Sequence, residues 1–156
     1  MIKENDFVEI EYTGKIKETG DKIKKGETIL TIIQDGKQLN IYSPISGKIT
    51  SVNESVAFDS SLLNSSPYEK GWIYNIEPQN WSAEIQFLKM ASNYKEWLKN
   101  EFTRLKDFIS FCATNKADKL TGVVLQDGGE IKDNILENLG PEIWEDFQTN
   151  FIDTSK

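Results

Sequence analysis

The stretch Ile32-Ile33-Gln34-Asp35-Gly36-Lys37-Gln38-Leu39 decides the fold. Two apolar runs flank Asp-Gly, the strongest short-range signal for a β-hairpin. A type I′ turn needs positive φ at both central residues, which Asp tolerates and Gly adopts without cost. The expectation is an exposed tip at Asp35 and Gly36 between strands Thr28–Gln34 and Lys37–Tyr42. Lys37 stands beside that tip and is the candidate functional residue; its plainest reading is a solvated strand lysine.

Outward from the hairpin, a short repeat brackets it. Thr13-Gly14-Lys15-Ile16 followed by Asp21-Lys22-Ile23 matches Ser46-Gly47-Lys48-Ile49 followed by Glu54-Ser55-Val56, at a constant offset of 33 residues. Gly20 and Asn53 occupy equivalent turn positions, and both residue types tolerate the left-handed backbone. Two similar half-sheets related by a pseudo-twofold axis, packed as a flattened sandwich or barrel, would explain the repeat. Asp6–Tyr12 reads as a further strand, Phe58–Asn64 as a helical turn, and Trp72–Ile76 as the last strand, closed by Pro78. Gly20, Gly26 and Gly47 read as turn glycines and not as a phosphate cradle, since no helix follows them.

The pattern changes at Asn80. Phe87, Ala91, Tyr94, Leu98, Phe102, Leu105, Ile109 and Cys112 recur at steps of three and four, which predicts one amphipathic helix capped by Asn80 or Ser82. Trp97, Phe108 and Phe111 lie off that stripe; with Trp81 and Trp144 they are the aromatics most suited to a second core or an interface. Beyond the helix, Thr121–Leu125 reads as a short strand and Asp127-Gly128-Gly129 as a turn. Lys132–Leu139 and Pro141–Phe151 read as short helices, with Gly140 ending the first.

Composition excludes several kinds of chemistry. The sequence contains no histidine and one cysteine, Cys112. Histidine-based acid–base work, Ser-His or Cys-His nucleophiles and thiolate zinc sites are therefore ruled out, and Cys112 reads as a core residue. Asp127-Gly128-Gly129-Glu130 with Asp133 lacks the spacing of a calcium loop, so no metal site is expected. The formal charge is −7, and residues 127–153 carry eight acidic side chains against Lys132 alone. An acidic end argues against nucleic acid and anionic membrane surfaces as partners. No run of apolar residues is long enough for membrane insertion, and a cytoplasmic setting is expected. The basic run Lys15, Lys17, Lys22, Lys24 and Lys25 reads as a solvated face, or one that meets an acidic partner or the acidic end. Glu142, Glu145 and Asp146 read as the wet face of the last helix.

One family shares these motifs. Lys24-Lys25-Gly26-Glu27, Tyr42-Ser43-Pro44-Ile45-Ser46-Gly47, Pro67-Tyr68, Gly71-Trp72-Ile73, Ile76 and Pro78 resemble the glycine cleavage H protein over about residues 7–80. The resemblance implies an α+β protein: a lipoyl-type β domain at 1–80, with 81–156 as a helical extension packed on it. It also implies a lipoyl group on a hairpin-tip lysine that shuttles an aminomethyl group between partner enzymes; lipoamide does the chemistry and the protein presents it. Counting from Gly26 and back from Pro44, the family's lysine position falls on Gly36. Its acidic neighbour three residues earlier falls on Ile33. The expectation is a noncatalytic, non-lipoylated H-like module that binds protein partners and carries no cofactor. The alternative is a carrier lipoylated at Lys37.

Overall fold

The computed structural model describes residues 17–88, 91–115 and 135–153. The expected strand Asp6–Tyr12, Lys15, the strand Thr121–Leu125, and the acidic turn with Asp133 lie outside the described residues.

Among the described residues, five strands form two antiparallel sheets. β2 (Thr28–Gln34) and β3 (Lys37–Tyr42) are the hairpin, with the bounds that its turn chemistry sets. β1 (Lys22–Ile23), β4 (Gly47–Val52) and β5 (Tyr74–Pro78) form the second sheet in the order β1-β4-β5. The last strand thus runs two residues later than expected and includes Pro78. Ile23, Leu30, Ile49 and Val56 are buried in this region.

Gly47 is not a turn residue. It opens β4 opposite Ile23 and Pro78, and a Cβ there would lie 2.4 Å from the Glu77 carbonyl oxygen. Close backbone approach, not left-handed geometry, demands glycine at this position. Asn53 also departs from expectation. Its φ is −86°, and it caps α1 (Glu54–Phe58) by accepting from the Ser55 N–H. Its side-chain amide donates to the Lys70 and Trp72 carbonyls at 2.8 and 2.7 Å. The helical turn expected at Phe58–Asn64 is α2 (Leu62–Ser65), and α1 is a further short helix ahead of it.

The long helix is interrupted. α3 (Trp81–Glu84) runs into a 3-10 turn, Ile85–Phe87, and Leu88 is extended with ψ 136°. α4 (Ala91–Asn115) follows, 25 residues and about 38 Å long. Asn80 precedes α3 without a side-chain cap bond. Glu84 has a role that periodicity does not reveal: its carboxylate is buried and accepts from the Ser46 N–H at 2.7 Å, pinning the turn between β3 and β4.

After α4, a 3-10 turn at Ile135–Asn138 leads to α5 (Pro141–Phe147), which continues as one π-helical turn, Gln148–Ile152. Gly140 serves as the N-cap of α5 with φ −69°, so it begins a helix instead of ending one. α5 lies on β3, and its buried residues make one core with the hairpin and the end of α4: Leu39, Cys112, Leu139, Ile143 and Trp144, flanked by Ile32, Phe108, Leu136 and Phe147.

Candidate functional site: the covered hairpin

The tip is as its residues dictate. Asp35 has φ +51° and Gly36 φ +75°, both are exposed, and Gln34 pairs with Lys37 across the turn. Nothing lies within 4 Å of a Cβ built on Gly36.

Lys37 is different, and it corrects the expectation of a solvated lysine. It is 6% exposed, and its Nζ sits 5.1 Å from the centroid of the Trp144 ring. The cause is the two-residue period of a strand, which puts Lys37 on the same face as Leu39. That face is the one α5 covers. The indole in turn is fixed by its own hydrogen bond, Nε1 donating to the Leu136 carbonyl at 2.7 Å. An ammonium facing an aromatic ring keeps a favourable electrostatic partner while its stem is buried. The signal that points to this burial is the alternation Lys37, Leu39, Ile41 in the sequence. The cover itself comes from 107 positions later in the chain.

A second fastening acts on the outer edge of β3. Asn40 pairs with Thr31, yet its N–H donates to Gln148 Oε1 at 2.7 Å and its carbonyl accepts from Gln148 Nε2 at 3.2 Å. In an antiparallel pair such outward-facing groups alternate with those bonded to the partner strand. The planar side-chain amide, with one donor and one acceptor engaged, stands in for one residue of a neighbouring strand. Gln148 Nε2 also donates to Asp153 Oδ1 at 2.8 Å.

α4 holds the opposite side of this cover. Phe108 lies 6.3 Å from the Phe147 ring and 5.5 Å, edge-on, from Phe151. Phe147 and Phe151 stack at 4.9 Å. Arg104 donates to the Asn150 carbonyl at 2.9 Å and sits over the Phe151 ring.

The other candidate groups do not join the hairpin. Glu142, Glu145 and Asp146 are exposed on α5. Of the basic run, Lys17 pairs with Glu27 and Lys25 stands over the Phe87 ring. Both contacts lie outside the acidic end. The Lys17 and Lys24 contacts hold the Glu27 carboxyl below its ordinary value, as the Ser46 N–H does for Glu84. Among the described residues, no cluster of three metal-binding side chains occurs and no helix is long and apolar enough to cross a membrane.

A family model described as glycine cleavage H-protein matches residues 5–101. The chain belongs to this family. The match continues past the β strands into α4, beyond the segment that carries the motif resemblance. A probable glycine cleavage system H protein of Pyrococcus furiosus is 34% identical over 93 residues, 60% of this chain and 64% of that protein. The H protein of Streptomyces coelicolor is 38% identical over 71 residues, 46% of this chain and 57% of its own. That of Carboxydothermus hydrogenoformans is 34% identical over 96 residues, 62% of this chain and 70% of its own. The chain thus spans less than two thirds of the length of the first two relatives. α5 and the residues that clasp the hairpin from the far end of the chain lie beyond the matched segment.

Proposed function

We infer that this H-protein family member is a noncatalytic protein-interaction module and that its hairpin is not lipoylated. We take residues 1–80 as the H-like β domain and 81–156 as the extension that modifies its use. The observation that carries this reading is the 6% exposure of Lys37 beneath Trp144. A ligase that attaches a lipoyl group needs the lysine amine to enter its active site, and a helix seated on the amine stands in the way. The exposed tip position is Gly36, which has no amine to modify. Without lipoamide, no residue set in the hairpin region supplies group-transfer chemistry of its own.

A second reading has its own support. Membership of the H-protein family favours a carrier, with Lys37 as the acceptor and enzymes of glycine cleavage as partners. This lysine is adjacent to the tip, and a shift of α5 would present it.

Intact mass after co-expression with a lipoate ligase and free lipoate separates the two. The expected result is the unmodified mass. An adduct of about 190 Da on Lys37, the size of a lysine-linked lipoyl group, would establish the carrier. The variant Gly36→Lys with Lys37→Ala and Ile33→Glu restores the family pattern at the exposed tip and is expected to accept lipoate. Its modification shows that the ligase works on this fold.

A further inference from the structure

We propose that the first half of α4 binds an anionic lipid surface. It lies along the membrane interface with Tyr94, Trp97, Leu98 and Phe102 at the acyl boundary and Lys95, Lys99 and Lys106 on the headgroup phosphates. This surface is separate from the hairpin and does not depend on the state of Lys37.

Every residue from Asn93 to Asn100 is exposed, so among the described residues nothing covers about two turns of the helix on any side. A helix solvated all round is expected to be polar all round. This one carries Tyr94, Trp97 and Leu98 at 40–48% exposure, with Phe102 one turn further on at 50%. The charges are sorted around that stripe. At about 100° per residue, Phe102 and Tyr94 lie about 40° to either side of Leu98, and Trp97 lies about 100° round on the Tyr94 side. Lys95, Lys106 and Lys99 line the other edge at about 60–100°, while Glu96 and Asp107 fall on the far side. Glu101 lies within the stripe, but Arg104 holds its carboxylate at 2.6 Å. Lys106 stands over the Phe102 ring at 5.2 Å. Lys95 and Lys99 are exposed and form no ion pair among the described residues. From Asn93 to Lys106 the helix carries Lys95, Lys99, Arg104 and Lys106 against Glu96 and Glu101, a cationic stretch in an acidic chain.

An apolar stripe edged by lysines, with acids on the opposite side, is the pattern of a helix lying in a lipid interface. Tyr and Trp suit that boundary, where one end of the ring is apolar and the other wet. Lysine stems cover apolar surface while their ammonium groups reach outward. A protein partner fits the stripe less well. Its four half-exposed side chains present roughly 400 Å², about half of what one side of a standard protein interface buries. A second copy packed antiparallel would set lysine edge against lysine edge. A bilayer requires no matching shape, and its phosphates supply the opposite charge.

The test is co-sedimentation of the full chain with vesicles of phosphatidylglycerol and phosphatidylcholine, against vesicles of phosphatidylcholine alone. Saturable partition onto the anionic vesicles is expected, at least tenfold weaker on the neutral ones and lost as salt screens the lysines. Lys95→Glu with Lys99→Glu should weaken it at least tenfold, and so should Leu98→Glu with Phe102→Glu. No partition of the native chain, or partition that neither double variant weakens, overturns the proposal. If a double variant does not fold, a nitrobenzoxadiazole label on Leu98→Cys decides, since Cys112 is buried and stays unlabelled. Its emission should move to the blue on anionic vesicles and not in buffer. Unshifted emission on the vesicles overturns the proposal. Emission already blue in buffer overturns it too, because the chain itself or a second copy then covers the stripe; sedimentation equilibrium tells these two apart.

Discussion

The two halves of α4 carry the same apolar rhythm and meet opposite fates. Toward its C-terminus, Ile109 and Cys112 are each 1% exposed, and Cys112 shares a core with Leu139, Ile143 and Trp144. Toward its N-terminus, Tyr94, Leu98 and Phe102 continue the stripe at 43–50% exposure. Trp97, next to them, leans on the Tyr94 ring at 5.8 Å. The helix is one rigid element, so the difference lies in what stands opposite. The hairpin and α5 reach the last turns of α4 and leave the first ones uncovered. An amphipathic pattern therefore records which side of a helix can be buried, and the rest of the chain determines how much of that side is.

Four substitutions would break or sharpen this contrast. The largest effect is expected at Ile109→Ala, which empties a closed site and should cost about 2–5 kcal/mol by chemical denaturation. Leu98→Ala, the same kind of truncation on the exposed half, should stay within about 0.5 kcal/mol. Equal losses at the two positions would show that the exposed half is covered after all. Next comes Gly36→Val. Space is open there, but φ is +75°, and a β-branched residue should cost about 1–3 kcal/mol through backbone strain alone. The loss should be confined to the hairpin and visible as faster exchange of the amides at 34 and 37. The smallest effect concerns acid. The Ser46 N–H lowers the pKa of Glu84 in the folded chain, with the Ser46 hydroxyl adding to this and burial opposing it. A depressed folded value means that Glu84 stabilises above its unfolded pKa and loses that contribution as pH falls through the folded one. Glu84→Gln should flatten the melting temperature below about pH 4.5. An unchanged acid limb would mean that this carboxylate does not fasten the turn.

What was legible in the sequence follows from how local each cause is. The hairpin is local: Asp35-Gly36 sets the turn, the turn sets the register, and β2 and β3 end at their expected residues. The family was legible for a related reason, because several short motifs with fixed spacing survive along the β strands and reach into the matched segment. The break before α4 was hidden. Periodicity counts Phe87, Ala91 and Tyr94 as one rhythm and is blind to an extended Leu88 between them, with no proline or glycine to mark it. In the sequence Asn53 signals tolerance of positive φ, while in the structure its side chain is a cap and a donor to two carbonyls. Lys37 was half legible. Its alternation with Leu39 marks a covered face, but the cover depends on Trp144 arriving from a segment remote in sequence, and no local rule reports such a meeting.

The Gln148 clasp has a consequence for how the molecule behaves in a crowd. A two-stranded sheet has open edges, and an open edge is a template on which other chains can add strands. Many proteins blunt such edges with charge or proline, yet β3 runs Lys37-Gln38-Leu39-Asn40-Ile41-Tyr42, whose only charged side chain is folded under an indole. Protection falls to a borrowed amide at Asn40 and to the helix that brings it. A protease that removed this helix would uncover an adhesive strand, and the first symptom would be turbidity and thioflavin binding while most of the fold is still in place.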